Sequence, residues 1–586
     1  MKHPTQATTV ARHSARRSDS RLSTLDSRLW LCAVLPVVAA VVVYLPATKN
    51  GFVWDDPLVL DQLRQMHDWR DVLLPPAAVP KFYYRPFVFL TFFLDRWLGG
   101  EAPFAFHATV IVWHALVTGL VFLLARALLG AAHTLEAGVA ALLFAVHPVH
   151  VESVAWIAGR SDVVATAFVL LTLLLSARTA HWWTAWAAAL TLLLGCWSKE
   201  IALTALLLVP ARDWLVDGRL FWRRYPPLLT ATAIYLASRA AALGTVGGGL
   251  PTEASTAQLA RDLLAAFGWY AVKLIVPVPQ NAYVPAVPAS ELYLIDGLVA
   301  LAVVLFGSIW ARRAGRGVVS FLLLCFALTV LPSLGVIVRR SASAVLAERY
   351  LYLPSVAAVI LVAWLLVQLR RRSAAWRAVL AVLLALSVAA GVQSARRTRV
   401  WANNLVFWQD VVAKIPTAAM AQRELADAYL ARDRLDDAER HYQAALAVES
   451  GREERVMAYN NVANLYLRRN QLDQADAALN EALKLYPHPY LYSGLGRLAM
   501  KRAEVAQARG DQAEVKRQVL SAREALNQAL ARDPQDYKSH VLLAQVLMSL
   551  GQREAARGHL QEALRIQPTG TIADTARQYL ALVNSR

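Results

Sequence analysis

Up to about residue 395 the chain is a succession of apolar runs of roughly 20 residues, each long enough to cross a hydrocarbon core about 30 Å thick, joined by short polar or basic connections. These runs predict spans at 29–47, 104–129, 136–150, 162–177, 181–197, 200–216, 226–243, 291–310, 317–337, 352–369 and 375–394. The run at 262–278 is short and precedes PVPQNAYVPAVP; a crossing there would put Arg312, Arg313 and Arg316 outside, so it reads as a re-entrant or interfacial segment. Beyond Trp401 no membrane-length run exists.

The last third instead repeats itself. In 456–487 small Ala463 and Ala475 let paired helices approach, Tyr466 and Leu479 fill the gap between them, Ala482 packs the next contact and Pro487 ends the second helix. The same slots hold Ala426, Tyr429, Ala438, Tyr442 and Ala445 in a first copy and Ala544, Leu547, Ala556, Leu560, Ala563 and Pro568 in a last. A further copy has Gly496, Ala522, Leu526, Ala529 and Pro534, with about 14 extra residues between its helices. This is a tetratricopeptide-type pattern with repeats near 419–450, 456–487, 489–534 and 536–568, expected to stack as a solenoid whose concave face takes a polypeptide acceptor or partner protein. The expected fold is all-α: a polytopic transmembrane bundle of about 11 spans, then a soluble solenoid of such repeats (TPR). The domains are a basic tail (1–28), a membrane domain (29–398, with a loop at 48–103) and the repeats (399–586).

Composition agrees with two regions of different character, since 57% hydrophobic and 17% charged residues suit neither a soluble protein nor a bare bundle. The formal charge of +18 resides largely in short clusters beside the spans, as cytoplasmic anchors do, which argues against nucleic acid as a partner and for membrane lipid. Alternation of those clusters sets the tail 1–28 inside and the 48–103 loop and the repeats outside. Cys32, Cys196 and Cys325 each lie in an apolar run with no CxxC pair, which excludes a disulfide framework or a cysteine-held metal.

Ionisable groups cluster at the outer ends of the spans, where they are costly and hence functional candidates. GFVWDDP supplies Asp55 and Asp56, KFYYRPF supplies Arg85, and FAVHPVHVESVAWIAGRSD supplies His147, His150, Glu152, Arg160 and Asp162. CWSKE adds Lys199 and Glu200; RRSASAVLAERYLYLPS adds Arg339, Arg340, Glu348, Arg349, Tyr350 and Tyr352. A lipid-linked sugar phosphate leaves as an anion that needs Arg or Lys, and an incoming hydroxyl needs a carboxylate to accept its proton. Asp55 or Asp56 can be that base, and Arg85, Arg160, Lys199 and Arg349 can hold the phosphate. The simpler alternatives are solvated acids at a helix exit, a structural hydrogen-bond cluster at HPVHVE, and a snorkelling Arg349.

The acidic pair, YRPF, HPVHVESVAWIAGRSD, WSKE and ERYLYLPS, in this order and followed by tetratricopeptide repeats, closely resemble the transmembrane-and-tetratricopeptide family of protein O-mannosyltransferases, over nearly the whole chain from about Leu29. That family is similar to the GT-C class of integral-membrane glycosyltransferases, which take sugar from a polyprenyl phosphate and invert the anomeric centre. The resemblance implies an acidic catalytic residue in the first outer loop, carried onto Asp55 or Asp56 and aided by Glu152, with HPVHVE and ERYLYLPS lining the site. It implies an enzyme that moves a hexose, mannose in the family, from a polyprenyl-phosphate donor to an extracytoplasmic hydroxyl, with protein as the acceptor. The few repeats and the Ala/Arg/Leu-rich composition suggest a bacterial relative in the inner membrane. No GxxxxGK[ST] loop appears, in keeping with a lipid-borne donor; the sequence identifies no cofactor, and a divalent metal is compatible with the carboxylates. The competing reading is a non-catalytic membrane-anchored scaffold for envelope complexes; a transporter would show broken helices in duplicated halves, and none is seen.

Overall fold

The computed structural model describes residues 29–585 except His67, 76–82, 178–180, 245–253, 340–343, Glu449 and Thr569; the expected tail 1–28, Arg178 and Arg340 lie outside the described residues. The chain forms two compact units, Met1–Phe52 with Tyr83–Ala402, and Val53–Phe82 with Asn403–Arg586. Much of the loop expected at 48–103 thus packs with the repeats.

The first unit is helical because its runs are apolar and start on prolines, which lack the N–H that a first helical turn leaves unpaired, as at Pro86, Pro103 and Pro354. Among the described residues six helices are long and apolar enough to cross a membrane: Leu29–Lys49, Pro103–Leu129, Glu291–Arg313, Gly317–Arg339, Pro354–Arg372 and Trp376–Trp401. A seventh follows if Ala131–Val146 and Pro148–Ala155, bent by 49°, form one span. The molecule is therefore a membrane protein. Pro103–Leu129 is enclosed by its neighbours, whereas Glu291–Arg313 and Trp376–Trp401 turn most of their apolar surface outward, as lipid-facing helices do.

The other runs among the eleven expected spans make shorter or more polar helices. Arg160–Ser176 and Trp182–Cys196 have 17 and 15 residues, 200–216 splits into the 3-10 turn Glu200–Thr204 and Ala205–Leu215, and Tyr225–Leu243 carries Arg239. The 262–278 run is the C-terminal part of a 20-residue helix, Thr256–Ile275. It crosses Glu291–Arg313 in backbone contact: a Cβ on Gly268 would lie 2.1 Å from the Tyr293 carbonyl oxygen, and one on Gly297 2.0 Å from that of Leu264.

In the second unit four helix pairs follow Asn404–Lys414: Ala419–Leu430 with Leu435–Ala447, Arg452–Arg468 with Leu472–Leu485, Pro489–Ala508 with Gln512–Arg532, and Tyr537–Ser549 with Arg553–Ile566; Thr571–Asn584 closes the series. The small residues at the expected slots, among them Ala426, Ala438, Ala463, Ala475, Ala522, Ala544 and Ala556, are buried at the helix contacts. The extra residues of the third copy do not form a connection. They lengthen its helices to 20 and 21 residues, because KRAEVAQA and QAEVKRQVL are strong helix formers, and the turn between them is made at Gly510, whose φ is +75°.

Candidate functional site

Within the first unit the chain breaks its helices where the charged motifs lie. Arg85 stands at the start of Pro86–Gly99, Glu152 in the short helix Val151–Ala155, Asp162 in the first turn of Arg160–Ser176, Lys199 before Glu200–Thr204, and Arg349 in the turn Glu348–Leu351. At such breaks backbone and side-chain polar groups can satisfy one another away from lipid.

These groups form one network. The Glu152 carboxylate accepts from the Arg349 backbone N–H at 3.0 Å and from its guanidinium, which also faces the rings of Tyr350 and Trp156 at 4.8 and 5.2 Å. The Lys199 ammonium donates to both Asp162 oxygens at 2.7 and 2.6 Å and lies 5.1 Å from the Tyr350 ring centre. Arg85 donates to Ser161 Oγ at 3.3 Å and stands 3.6 Å from Glu200, which accepts from Arg239 at 2.8 Å.

Four cations thus meet three carboxylates, and the neighbouring pair Lys273 and Glu348, 3.5 Å apart, leaves that balance unchanged. Burial lowers the Lys199 ammonium to about 8 against the pull of Asp162, and Arg85 and Arg349 push in the same direction as burial. A cluster with one more cation than carboxylate is a favourable environment for an anion.

Other expected residues go elsewhere. Arg160 is fully buried, its guanidinium held by Asp95 at 2.5 Å, Thr91 at 3.0 Å and the Phe106 carbonyl at 2.6 Å. His147 bonds the Leu274 carbonyl at 3.1 Å, and His150 bonds Ser355 Oγ at 2.9 Å. Tyr352 turns from Tyr350 toward His114, whose Nδ1 lies 2.7 Å from its hydroxyl. The HPVHVE histidines are thereby parts of a buried hydrogen-bond cluster, and among the described residues no group of three or more His, Cys, Asp or Glu could hold a metal ion.

Asp55 and Asp56 belong to the second unit. Asp55 precedes the helix Asp56–Gln65, and the buried Asp56 carboxylate accepts from the Val53 N–H at 2.9 Å. Trp54 before them has φ of +57°, held by its N–H on Asn404 Oδ1 at 2.8 Å and by its ring on Phe407 and Trp408.

Asp95, Arg239 and Lys273 are the participants that motif reading missed. A signal existed for one of them: Arg239 is the single charge of the apolar helix Tyr225–Leu243, whereas Asp95 stands beside Arg96 and Lys273 shares its helix with Arg261 and Asp262.

Tetratricopeptide repeat models match residues 417–488 and 517–579. Protein O-mannosyl-transferase TMTC2 of Mus musculus is 33% identical over 211 residues, covering 32% of this chain and 24% of that protein. Protein O-mannosyl-transferase Tmtc2 of Drosophila melanogaster is 39% identical over 213 residues, covering 33% and 22%. The match spans less than a quarter of the length of either relative. The crystal structure of a thermophilic TPR protein from Thermus thermophilus covers 35% of this chain and 95% of its own, at 20% identity and a TM-score of 0.24. Over about a third of its length the chain is similar to TMTC-type proteins, and residues 417–488 and 517–579 match tetratricopeptide repeats.

Proposed function

We propose that this protein is a membrane glycosyltransferase that moves a hexose from a polyprenyl-phosphate donor to a hydroxyl of an extracytoplasmic polypeptide. The observation that carries the reading is the cluster in which four cations, Arg85, Lys199, Arg239 and Arg349, meet three carboxylates, Glu152, Asp162 and Glu200. The O-mannosyl-transferase names of the relatives support it.

In this reading the acceptor oxygen forms a bond to the anomeric carbon from the face opposite the phosphate. The carbon–oxygen bond to phosphate breaks with its electron pair on the phosphate, and the configuration inverts. Polyprenyl phosphate leaves as an anion whose charge Arg85, Lys199 and Arg349 balance. The proton of the acceptor hydroxyl goes to a carboxylate, Asp55 or Asp56, an assignment that rests on the family resemblance of the first loop. Glu152 is then a positioning residue, since its carboxylate is engaged by Arg349. Arg160 holds Asp95 and shapes the unit without meeting the donor.

The test uses purified protein in lipid, a panel of polyprenyl-phosphate sugars and an extracytoplasmic protein extract, with Asp55→Asn, Asp56→Asn and Arg349→Gln beside the wild type. Transfer by the wild type that is lost in Arg349→Gln and in one Asp variant, with each protein folded, supports the enzyme. No transfer with any donor, or equal transfer by all, gives the chain over to the scaffold reading.

A further inference from the structure

At one end of the membrane unit the chain gathers arginines that the proposed chemistry does not use. The helix Ala205–Leu215 runs into a turn that carries Arg219, and Arg312 and Arg316 flank the turn from Glu291–Arg313 to Gly317–Arg339. The two turns are in backbone contact, since a Cβ on Gly317 would lie 1.7 Å from the Leu215 carbonyl oxygen. The Arg312 guanidinium reaches across to the Trp214 ring, 5.3 Å from its centre.

The two acids beside the first turn are already committed. Asp213 is buried and accepts from Arg224 at 2.5 Å and from the Tyr225 hydroxyl at 3.0 Å, and Asp217 stands 3.1 Å from Arg212. Arg219, Arg312 and Arg316, by contrast, form no ion pair among the described residues. Their guanidinium groups rest on aromatic rings instead: Arg219 lies 4.5 Å from the Phe221 ring centre, and Arg316 lies 4.7 Å from that of Trp310 and 5.8 Å from that of Trp364. A ring orients a guanidinium without cancelling its charge. Arg219 and Arg312 are exposed and Arg316 half-buried, so a ligand outside the protein can reach them. Trp214 and Trp310 are exposed beside them, and tryptophans at the ends of apolar helices sit at the depth of lipid headgroups. Oriented guanidinium groups at that depth, with no acid to balance them, attract an anion from the membrane surface.

We propose that this end of the membrane unit binds the headgroup of an anionic phospholipid, with its phosphate held by Arg312 and Arg316 and its charge balanced further by Arg219. The planar fork of a guanidinium matches two phosphate oxygens at once, whereas a lysine ammonium meets them only as a point charge. The acyl chains lie along Glu291–Arg313, which turns most of its apolar surface outward. A zwitterionic choline headgroup would bring a further cation among the arginines and is disfavoured. The site stands apart from sugar transfer and does not depend on it.

The full-length protein is placed in nanodiscs of equal parts phosphatidylglycerol and phosphatidylcholine and released into mild detergent, and the lipids that stay bound are counted by native mass spectrometry. The expected result is retention of phosphatidylglycerol about tenfold over phosphatidylcholine. Arg312→Gln with Arg316→Gln brings that ratio close to one. Arg312→Lys with Arg316→Lys lowers it most of the way although the net charge is unchanged. Arg372→Gln with Arg377→Gln removes the same charge from the basic turn between Pro354–Arg372 and Trp376–Arg397, and leaves the ratio as it was. A wild type without preference, or a preference that survives Arg312→Gln with Arg316→Gln, overturns the proposal. So does a ratio that the lysine pair sustains and the two glutamine pairs lower alike, because the lipid then follows the net charge of the surface and not this site.

Discussion

A charge on Lys199 is disfavoured by burial and by its cationic neighbours Arg85 and Arg349, and retained through Asp162. With the ammonium at about 8 instead of 10.5, the folded protein gives up this proton before the unfolded chain does. Between those values the unfolded state binds more protons, so this group's contribution to stability increases as pH rises through that window. Donor capture runs the other way, because only the ammonium balances phosphate: kcat/KM for transfer should fall as pH passes about 8, and Lys199→Arg should move that limb upward. A profile flat through that region in the wild type would take Lys199 out of the donor site. Two of the buried Arg–carboxylate pairs, Arg160–Asp95 and Arg349–Glu152, separate stability from function. Breaking either by Glu152→Gln or Asp95→Asn should cost on the order of 3 kcal/mol, read as a lowered Tm. Transfer per folded molecule should drop only in Glu152→Gln, since Arg349 lies in the cation cluster and Arg160 outside it. The sequence made Arg160 and Arg349 look alike, each a guanidinium in a motif. A chain written in one dimension shows the charge without its partner, and Asp95, which decides the matter, sits in a stretch that read as loop and is in fact the helix Pro86–Gly99.

At the scale of elements, the site depends on a tight reversal between Val151–Ala155 and Arg160–Ser176. A Cβ on Gly159 would lie 2.8 Å from the Glu152 carbonyl oxygen and 3.1 Å from that of Trp156. Both are backbone atoms and cannot rotate away, so Gly159→Ala must displace the turn that carries Glu152 and, through it, Arg349. Misplacement of a positioning group by about 1 Å can cost 100-fold in rate, and transfer should fall by that order while the helical circular dichroism stays unchanged. Wild-type rates in Gly159→Ala would show that the turn tolerates the shift. Periodicity made the helix pairs of the repeats legible, because one small residue per slot is a geometric necessity. It misjudged the third pair, where about two further turns on each helix share the local propensity of the turns before them and no residue announces an insertion. In the membrane unit apolar length says what can cross a bilayer and does not tell a lipid-facing helix from a packed one: Arg160–Ser176 is buried along most of its length among other helices.

For the molecule as a whole, the linear boundary near 398 does not coincide with the folded units, because Val53–Phe82 belongs with the repeats. The reason lies in side chains that no local pattern couples. Trp54 needs Asn404, Phe407 and Trp408 to hold its positive φ, and Gln65 donates to Gln567 at 2.8 Å, some 500 residues away. Val53, Leu60 and Leu63 are buried within the same unit. A chain ending at Ala402 therefore keeps this stretch but loses what it packs on. Its apolar residues would face water, and burying three such side chains is worth roughly 5 kcal/mol, enough to hold the stretch in place or release it. Trypsin should then cut a 1–402 protein after Arg64 and Arg70 far faster than the full-length chain, and residues 403–586 supplied separately should restore protection at Arg64, where the Gln65 contact lies. If 1–402 resisted cleavage unaided, Val53–Phe82 would have its own reason to fold, and the acidic pair Asp55 and Asp56 would owe its conformation to the loop and not to the repeats.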